Sequence, residues 1–111
     1  MSPVPSPYTA MWLFAMFDLP VSTPEGRYHY TKFREFLLKE GFIKMQFSVY
    51  VRYCSSRERT QAFKRRLKKA LPPNGEVRLL AVTDHQFGSM EVFRGKTRVP
   101  PEKAPQQIML F

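Results

Sequence analysis

Asp18 closes the most hydrophobic stretch of the chain, Met11 to Phe17, and is followed at once by Leu19 and Pro20. A carboxylate at the tip of an apolar segment is a hard oxygen ligand held at a fixed place. In a two-fold dimer packed sheet to sheet, two Asp18 side chains would face each other across the axis. Such a pair suits Mg²⁺, or Mn²⁺, with waters in the remaining positions. A cation so held can activate a water and neutralise a phosphodiester. The plainer alternative is an Asp that caps the turn before Thr23, and on the residues alone that alternative is preferred.

The second constellation is basic. Arg52, Arg57, Arg59, Lys64, Arg65, Arg66, Lys68 and Lys69 follow one another closely and are opposed only by Glu58. Phe63, Leu67, Ala70 and Leu71 are spaced as one apolar helix face, so the cations must project outward as a ridge. Arg27, Lys32, Arg34 and Lys39 from a preceding helix add to the same side. No aromatic residue is interleaved with the outward charges of the ridge, which points to phosphate-backbone contact rather than stacking on single-stranded bases. The candidate contacts are Arg27, Arg34, Arg57, Arg59, Lys64, Arg65, Lys68 and Lys69. The whole chain agrees in sign: 18 Lys+Arg against 9 Asp+Glu give a net charge of +9, a balance suited to a polyanionic partner. A merely solvated basic surface is the alternative, weakened by the scarcity of acidic neighbours.

Other reactive residue types form no constellation. His29 has no Cys or second His at metal-ligand spacing. His85 beside Asp84 reads as a structural pair in a turn, and Ser48 has no assignable His or acid partner. Cys54 is the only cysteine; it reads as a small buried residue. It cannot form an internal disulfide, which fits a reducing cytosol. There is no glycine-rich phosphate loop and no zinc spacing. Met11–Phe17 is too short to span a bilayer and lacks a basic flank before it, so neither a signal peptide nor a membrane helix is expected. The expected location is cytoplasmic.

The elements that position these residues follow from periodicity. Residues 1–10 are proline-rich and uncharged and read as a flexible leader. Met11–Phe17, apolar throughout, reads as a strand buried on both faces. Thr23 is a candidate N-cap with Pro24 in the first helical position. A helix is expected from Pro24 to Glu40, with Tyr30, Phe33 and Leu37 inward and Gly41 as its stop. Phe42 to Tyr53 is strand-rich, with a break expected near Met45–Gln46. Phe47, Val49 and Val51 should face one way and Ser48, Tyr50 and Arg52 the other. Ser55 with Glu58 reads as a capping box opening the second helix, which the prolines of "PPNG" end. Glu76–Thr83 is another strand, "DHQFGSM" a turn, and Glu91–Phe93 a short edge strand. The order is βαββαβ, an α+β, ferredoxin-like domain over residues 11–95 with an additional C-terminal edge strand. The doubly apolar first strand requires cover on its second face. In so short a chain the simplest cover is a second copy, making a two-fold homodimer packed through the sheets.

Two pieces in order, "MFDLPVSTPEGRYHYTKFREFLLKEGFIKMQFSVYVRYC" and "LPPNGEVRLLAVTDHQFGSMEVFRG", resemble the Cas-two family of CRISPR-associated proteins, in the form found with type II systems; the most specific parts are the strand ending in Phe17-Asp18, the Gln-Phe-Ser-Val-Tyr strand and the Thr-Asp-His-Gln-Phe turn. The resemblance implies a ferredoxin-like homodimer and a metal-dependent endonuclease of RNA or DNA, with Mg²⁺, or alternatively Mn²⁺, as cofactor. It also implies a scaffold that bridges two dimers of the Cas-one integrase and holds double-stranded spacer DNA during insertion. By the same resemblance the family's metal-binding aspartate falls on Asp18, and its flanking aromatic on Phe17, where many members carry Tyr. Basic positions of the first helix fall on Arg27 and Arg34. One homodimer would supply two carboxylates and no evident general base, which favours scaffolding over fast hydrolysis. A toxin-like metal-dependent endoribonuclease, acting without an integrase, is the alternative function; it fits the charge but not the quoted motifs. The tail, residues 96–111, is polar and proline-broken and ends in Ile108, Met109, Leu110 and Phe111. An apolar end on such a tether is expected either to add a strand to Cas-one or to the other protomer, or to be a disordered terminus.

Overall fold

The computed structural model describes residues 6–105. β1 (Met11–Asp18), α1 (Pro24–Lys39), β2 (Ile43–Gln46), β3 (Val49–Cys54), α2 (Arg57–Lys69) and β4 (Glu76–Thr83) follow one another in the expected order. The four strands form one antiparallel sheet in the order β2-β3-β1-β4, which is the ferredoxin-like topology.

Alternation along β1 divides the molecule into two faces. Met11, Leu13, Ala15 and Phe17 point to the helical layer and pack with Phe33 and Leu37 of α1 and Phe63 and Leu67 of α2. Thr23 caps α1 by accepting a hydrogen bond from the Gly26 N–H, with proline in the first turn. On the other face Trp12 packs with Val51 and Phe87, with Phe14, Met45, Tyr53, Val82 and Met90 around them. β1 is therefore buried on both sides, as its composition requires.

The cover of the second face departs in part from expectation. The stretch read as a turn is a short helix, α3 (Asp84–Gly88), closed by a capping box in which Thr83 and Gln86 bond reciprocally. Its Phe87 stacks on Trp12 at 4.1 Å between ring centroids, and Asp84 accepts a 2.6 Å hydrogen bond from the indole N–H. The chain thus covers one end of this face by itself. Residues 6–10, expected to be part of a flexible leader, form a turn bound to α3: the His85 N–H donates to the Pro7 carbonyl and the Asp84 N–H to that of Ala10.

Three boundaries move. The β2–β3 break falls at Phe47–Ser48, where Ser48 takes φ of 61° in a two-residue hairpin, leaving Phe47 exposed in the turn rather than facing the side of Val49 and Val51. The α2 cap is Ser56, not Ser55, accepting from the Arg59 N–H. The C-terminal strand, β5 (Val92–Arg94), is not an edge of the main sheet; it pairs with β6 (Thr97–Val99) as a separate hairpin. β6 lies in the stretch read as tail, while Ile108, Met109, Leu110 and Phe111 lie outside the described residues. Among the described residues no helix is long and apolar enough to cross a membrane.

Candidate functional site

Asp18 is the last residue of β1 and is exposed. The pleat puts it on the face of Trp12, Phe14 and Met16, away from α1 and α2. Two backbone contacts fix the strand end there. The Phe17 N–H donates to the Ser48 carbonyl of the β2–β3 turn at 3.0 Å. On the other side Gly75, at φ of +88°, lets the chain turn into β4 against the Asp18 carbonyl; a Cβ there would lie 2.7 Å from that oxygen.

Register then brings a residue that the linear sequence does not advertise. Asp18 is directly opposite Glu76 in the antiparallel pair, and Met16 is opposite Arg78. Directly opposed side chains have Cβ atoms about 4.5–5.5 Å apart, and like charges so placed repel. A chain of net charge +9 thus carries an acidic spot at one end of the sheet face opposite α1 and α2, which is helix-free apart from α3. Met16, Phe17, Asp18, Phe47, Ser48, Val49, Glu76 and Arg78 line one open depression of about 270 Å³. Among the described residues no three His, Cys, Asp or Glu side chains converge. The donor set is therefore carboxylate oxygen alone, and few of them, which fits a hard cation that keeps most of its waters.

The rest of the helix-free face is apolar and partly bare. Leu80 and Ile43 are 49% and 48% exposed, and they flank the strip from Met16 to Val49 beyond the reach of α3.

The basic ridge lies on the opposite layer and is not continuous. Arg65, Lys68 and Lys69, with Arg66, surround one concavity over Ala62. Arg57 and Lys64 instead line a groove with Gln61 beside Leu79, Leu80 and Ala81 of β4. Arg59 is exposed in the first turn of α2. Two cations of the stretch are drawn into structure. Arg52 stacks over Phe63 at 4.5 Å and donates to the Glu40 carbonyl. Arg66 lies over the same ring at 4.7 Å and pairs with the Glu40 carboxylate at 2.6 Å. On α1, Arg27 donates to the Val21 carbonyl and Arg34 to the Tyr50 hydroxyl, both at 3.1 Å, while their side chains stay on the exposed layer.

The isolated candidates are structural. Asp84 is held by Trp12 rather than by His85, whose ring packs on Tyr8 at 4.8 Å. Cys54 is 2% exposed, and burial pushes its thiol above the usual range, the reverse of an activated nucleophile. His29 lines a small pocket with Glu25, Leu19 and Pro72, on the helical side of the sheet.

Residues 11–90 match the family model described as CRISPR associated protein Cas2. A protein of Parvibaculum lavamentivorans named CRISPR-associated endoribonuclease Cas2 is 48% identical over 91% of this chain and 100% of its own length. Proteins of the same name from Flavobacterium psychrophilum and Paracidovorax avenae are 41% and 43% identical, each over 94% of this chain and over 90% and 96% of their own lengths.

Proposed function

Since the chain belongs to the Cas2 family of CRISPR-associated proteins, we propose that it is a homodimeric nucleic-acid-binding protein with two separate working surfaces. The helix-free end of the sheet cleaves phosphodiesters with a divalent cation held at Asp18. The basic helical layer holds a DNA duplex while a Cas-one integrase inserts it. The observation that carries this reading is the position of Asp18: exposed, at a strand end fixed from both sides, on the one sheet face that is apolar and incompletely covered. A second copy covering Leu80 and Ile43 about a two-fold axis would bring a second Asp18 towards the first.

Mg²⁺, or Mn²⁺ in its place, would be held by the Asp18 carboxylates and would supply charge neutralisation and a water of lowered pKa. The protein's own part is positional. Asp18 places the cation at the open end of the sheet, and the Phe47–Ser48 turn and the Gly75 turn bound the space in which a phosphate can lie. In hydrolysis the water oxygen bonds to phosphorus, the phosphorus–oxygen bond to the leaving nucleoside breaks, and the leaving oxygen takes up the proton. The name endoribonuclease carried by the relatives supports RNA as the substrate of this surface. The outward cations Arg57, Arg59, Lys64, Arg65, Lys68 and Lys69, joined by Arg27 and Arg34, support backbone contact with a duplex. Docking of Ile108–Phe111 on the integrase belongs to the same proposal.

The two surfaces separate in a spacer-acquisition assay in cells. Asp18→Ala should leave acquisition near the wild-type level, because the duplex is held on the other layer. Replacing Lys64, Arg65 and Lys68 by Glu should abolish it. Loss of acquisition in a folded, dimeric Asp18→Ala protein would place the acidic site within the adaptation step and defeat the division of labour.

A further inference from the structure

Arg78 sits one pleat along β4 from Glu76 and opposite Met16, so it shares the helix-free face with Asp18. Among the described residues it is the one cation lining the depression there. Its Nε–H donates to Glu76 Oε1 at 2.7 Å. Both side chains are largely in water, 74% and 64% exposed, so the ion pair contributes little to stability. Its consequence is geometric. A guanidinium is planar, and with Nε on Glu76 the two terminal amino groups are left free as a fork. Among the described residues no protein acceptor takes a hydrogen bond from that fork. A fork of this kind matches the non-bridging oxygens of a phosphate.

The arrangement answers a need that the rest of the molecule does not meet. The cations of α2 lie across the sheet from Asp18, behind the packed layer of Phe63 and Leu67. None of them lines the depression at Asp18. We infer that Arg78 is the substrate-phosphate contact of the Asp18 site, and that Glu76 is its positioning residue. The inference rests on the cleavage reading above. It assigns Glu76 to orienting Arg78 rather than to the cation, and it commits the depression to the backbone of a single RNA strand.

The test uses the full-length protein and a short fluorescent single-stranded RNA. Arg78→Ala should lower kcat/KM for Mg²⁺-dependent cleavage about ten- to a hundredfold, and should weaken RNA binding measured by anisotropy in EDTA, where no cation is bound. Arg78→Lys should restore only part of either, since an ammonium has charge but no fork. Added guanidinium at low millimolar concentration should partly rescue Arg78→Ala, which a purely structural defect would not allow. Glu76→Gln should raise KM several-fold with kcat held. Wild-type cleavage and binding by Arg78→Ala, together with loss of cleavage in Asp18→Asn, would overturn this inference alone. Full cleavage by Asp18→Asn, or none by the wild type, would overturn the cleavage reading and this inference with it. A higher Mg²⁺ requirement in Glu76→Gln would make Glu76 a ligand and overturn its positioning role. Dissociation of Arg78→Ala to monomers would make Arg78 an interface residue and overturn its assignment to RNA.

Discussion

The two faces of the sheet are built on different principles. The helical side is a closed apolar layer, with Phe33, Leu37 and Leu67 essentially inaccessible, and its chemistry is displaced outward onto long basic side chains in water. The other side keeps its chemistry on the sheet itself. Asp18, Glu76 and Arg78 stand directly on paired strands, where the backbone ladder rather than side-chain flexibility sets their spacing. Lys and Arg at the ends of mobile stems suit contact with a repeating polyanion, because no single geometry is required. A carboxylate fixed at a strand end suits one cation at one place. The difference in construction is what supports the proposal of two separate working surfaces on a chain this small.

The largest effect expected is on the basic layer. Reversing Lys64, Arg65 and Lys68 to Glu should weaken binding of every duplex alike, by roughly a hundredfold or more near physiological salt. The slope of log K against log salt should flatten by about 0.9 for each phosphate that is no longer neutralised. An unchanged slope, read from fluorescence titrations at several salt concentrations, would mean that the duplex lies elsewhere. Next comes the bare part of the helix-free face. Leu80→Asp should convert the proposed dimer to a folded monomer in analytical ultracentrifugation. Leu80 is already 49% exposed in the protomer, so a charge there costs the isolated fold little and the interface much. A stable Leu80→Asp dimer would put the second copy somewhere else.

A smaller effect concerns pH. Burial raises Cys54, and burial followed by repulsion from Asp84 raises Tyr53. Both groups therefore favour their neutral forms when folded. The unfolded chain releases these protons first, so stability is full below the ordinary thiol range and declines as pH rises through it and towards the raised folded values. Cys54→Ala should remove part of that alkaline decline. Native Cys54 should also react with a thiol reagent only as fast as the protein opens. Rapid labelling of the folded protein would contradict the burial assigned to it.

Much of the scaffold was legible because its signals are local. β1 is apolar on both faces, Thr23–Pro24 marks a helix start, and the periodic Phe33/Leu37 and Phe63/Leu67 pairs mark the inner stripes. α3 escaped because one helical turn leaves no periodicity to detect, although Thr83 with Gln86 is the reciprocal capping pattern that announces it. The β2–β3 turn was displaced because Phe47 is a strand former by propensity, and only the φ of 61° at Ser48 betrays the reversal. Adjacent serines made the α2 cap ambiguous by one residue. Asp18 was visible as a carboxylate ending an apolar run. Glu76 and Arg78 were not, because their placement beside it is a matter of strand register between distant segments. Nor does any linear pattern show that Phe63 takes Arg52 and Arg66 of the ridge onto its two sides.

The most direct test measures one variant twice. Asp18→Asn keeps the shape of the strand end and removes the charge proposed to hold a cation. In preparations free of contaminating nuclease, Mg²⁺-dependent cleavage of single-stranded RNA should fall to background, while duplex DNA affinity stays within about twofold of wild type because the basic layer is untouched. Cleavage at the wild-type rate, or a fall in duplex affinity as large as that of the Lys64, Arg65 and Lys68 variant, would contradict the separation of the two faces.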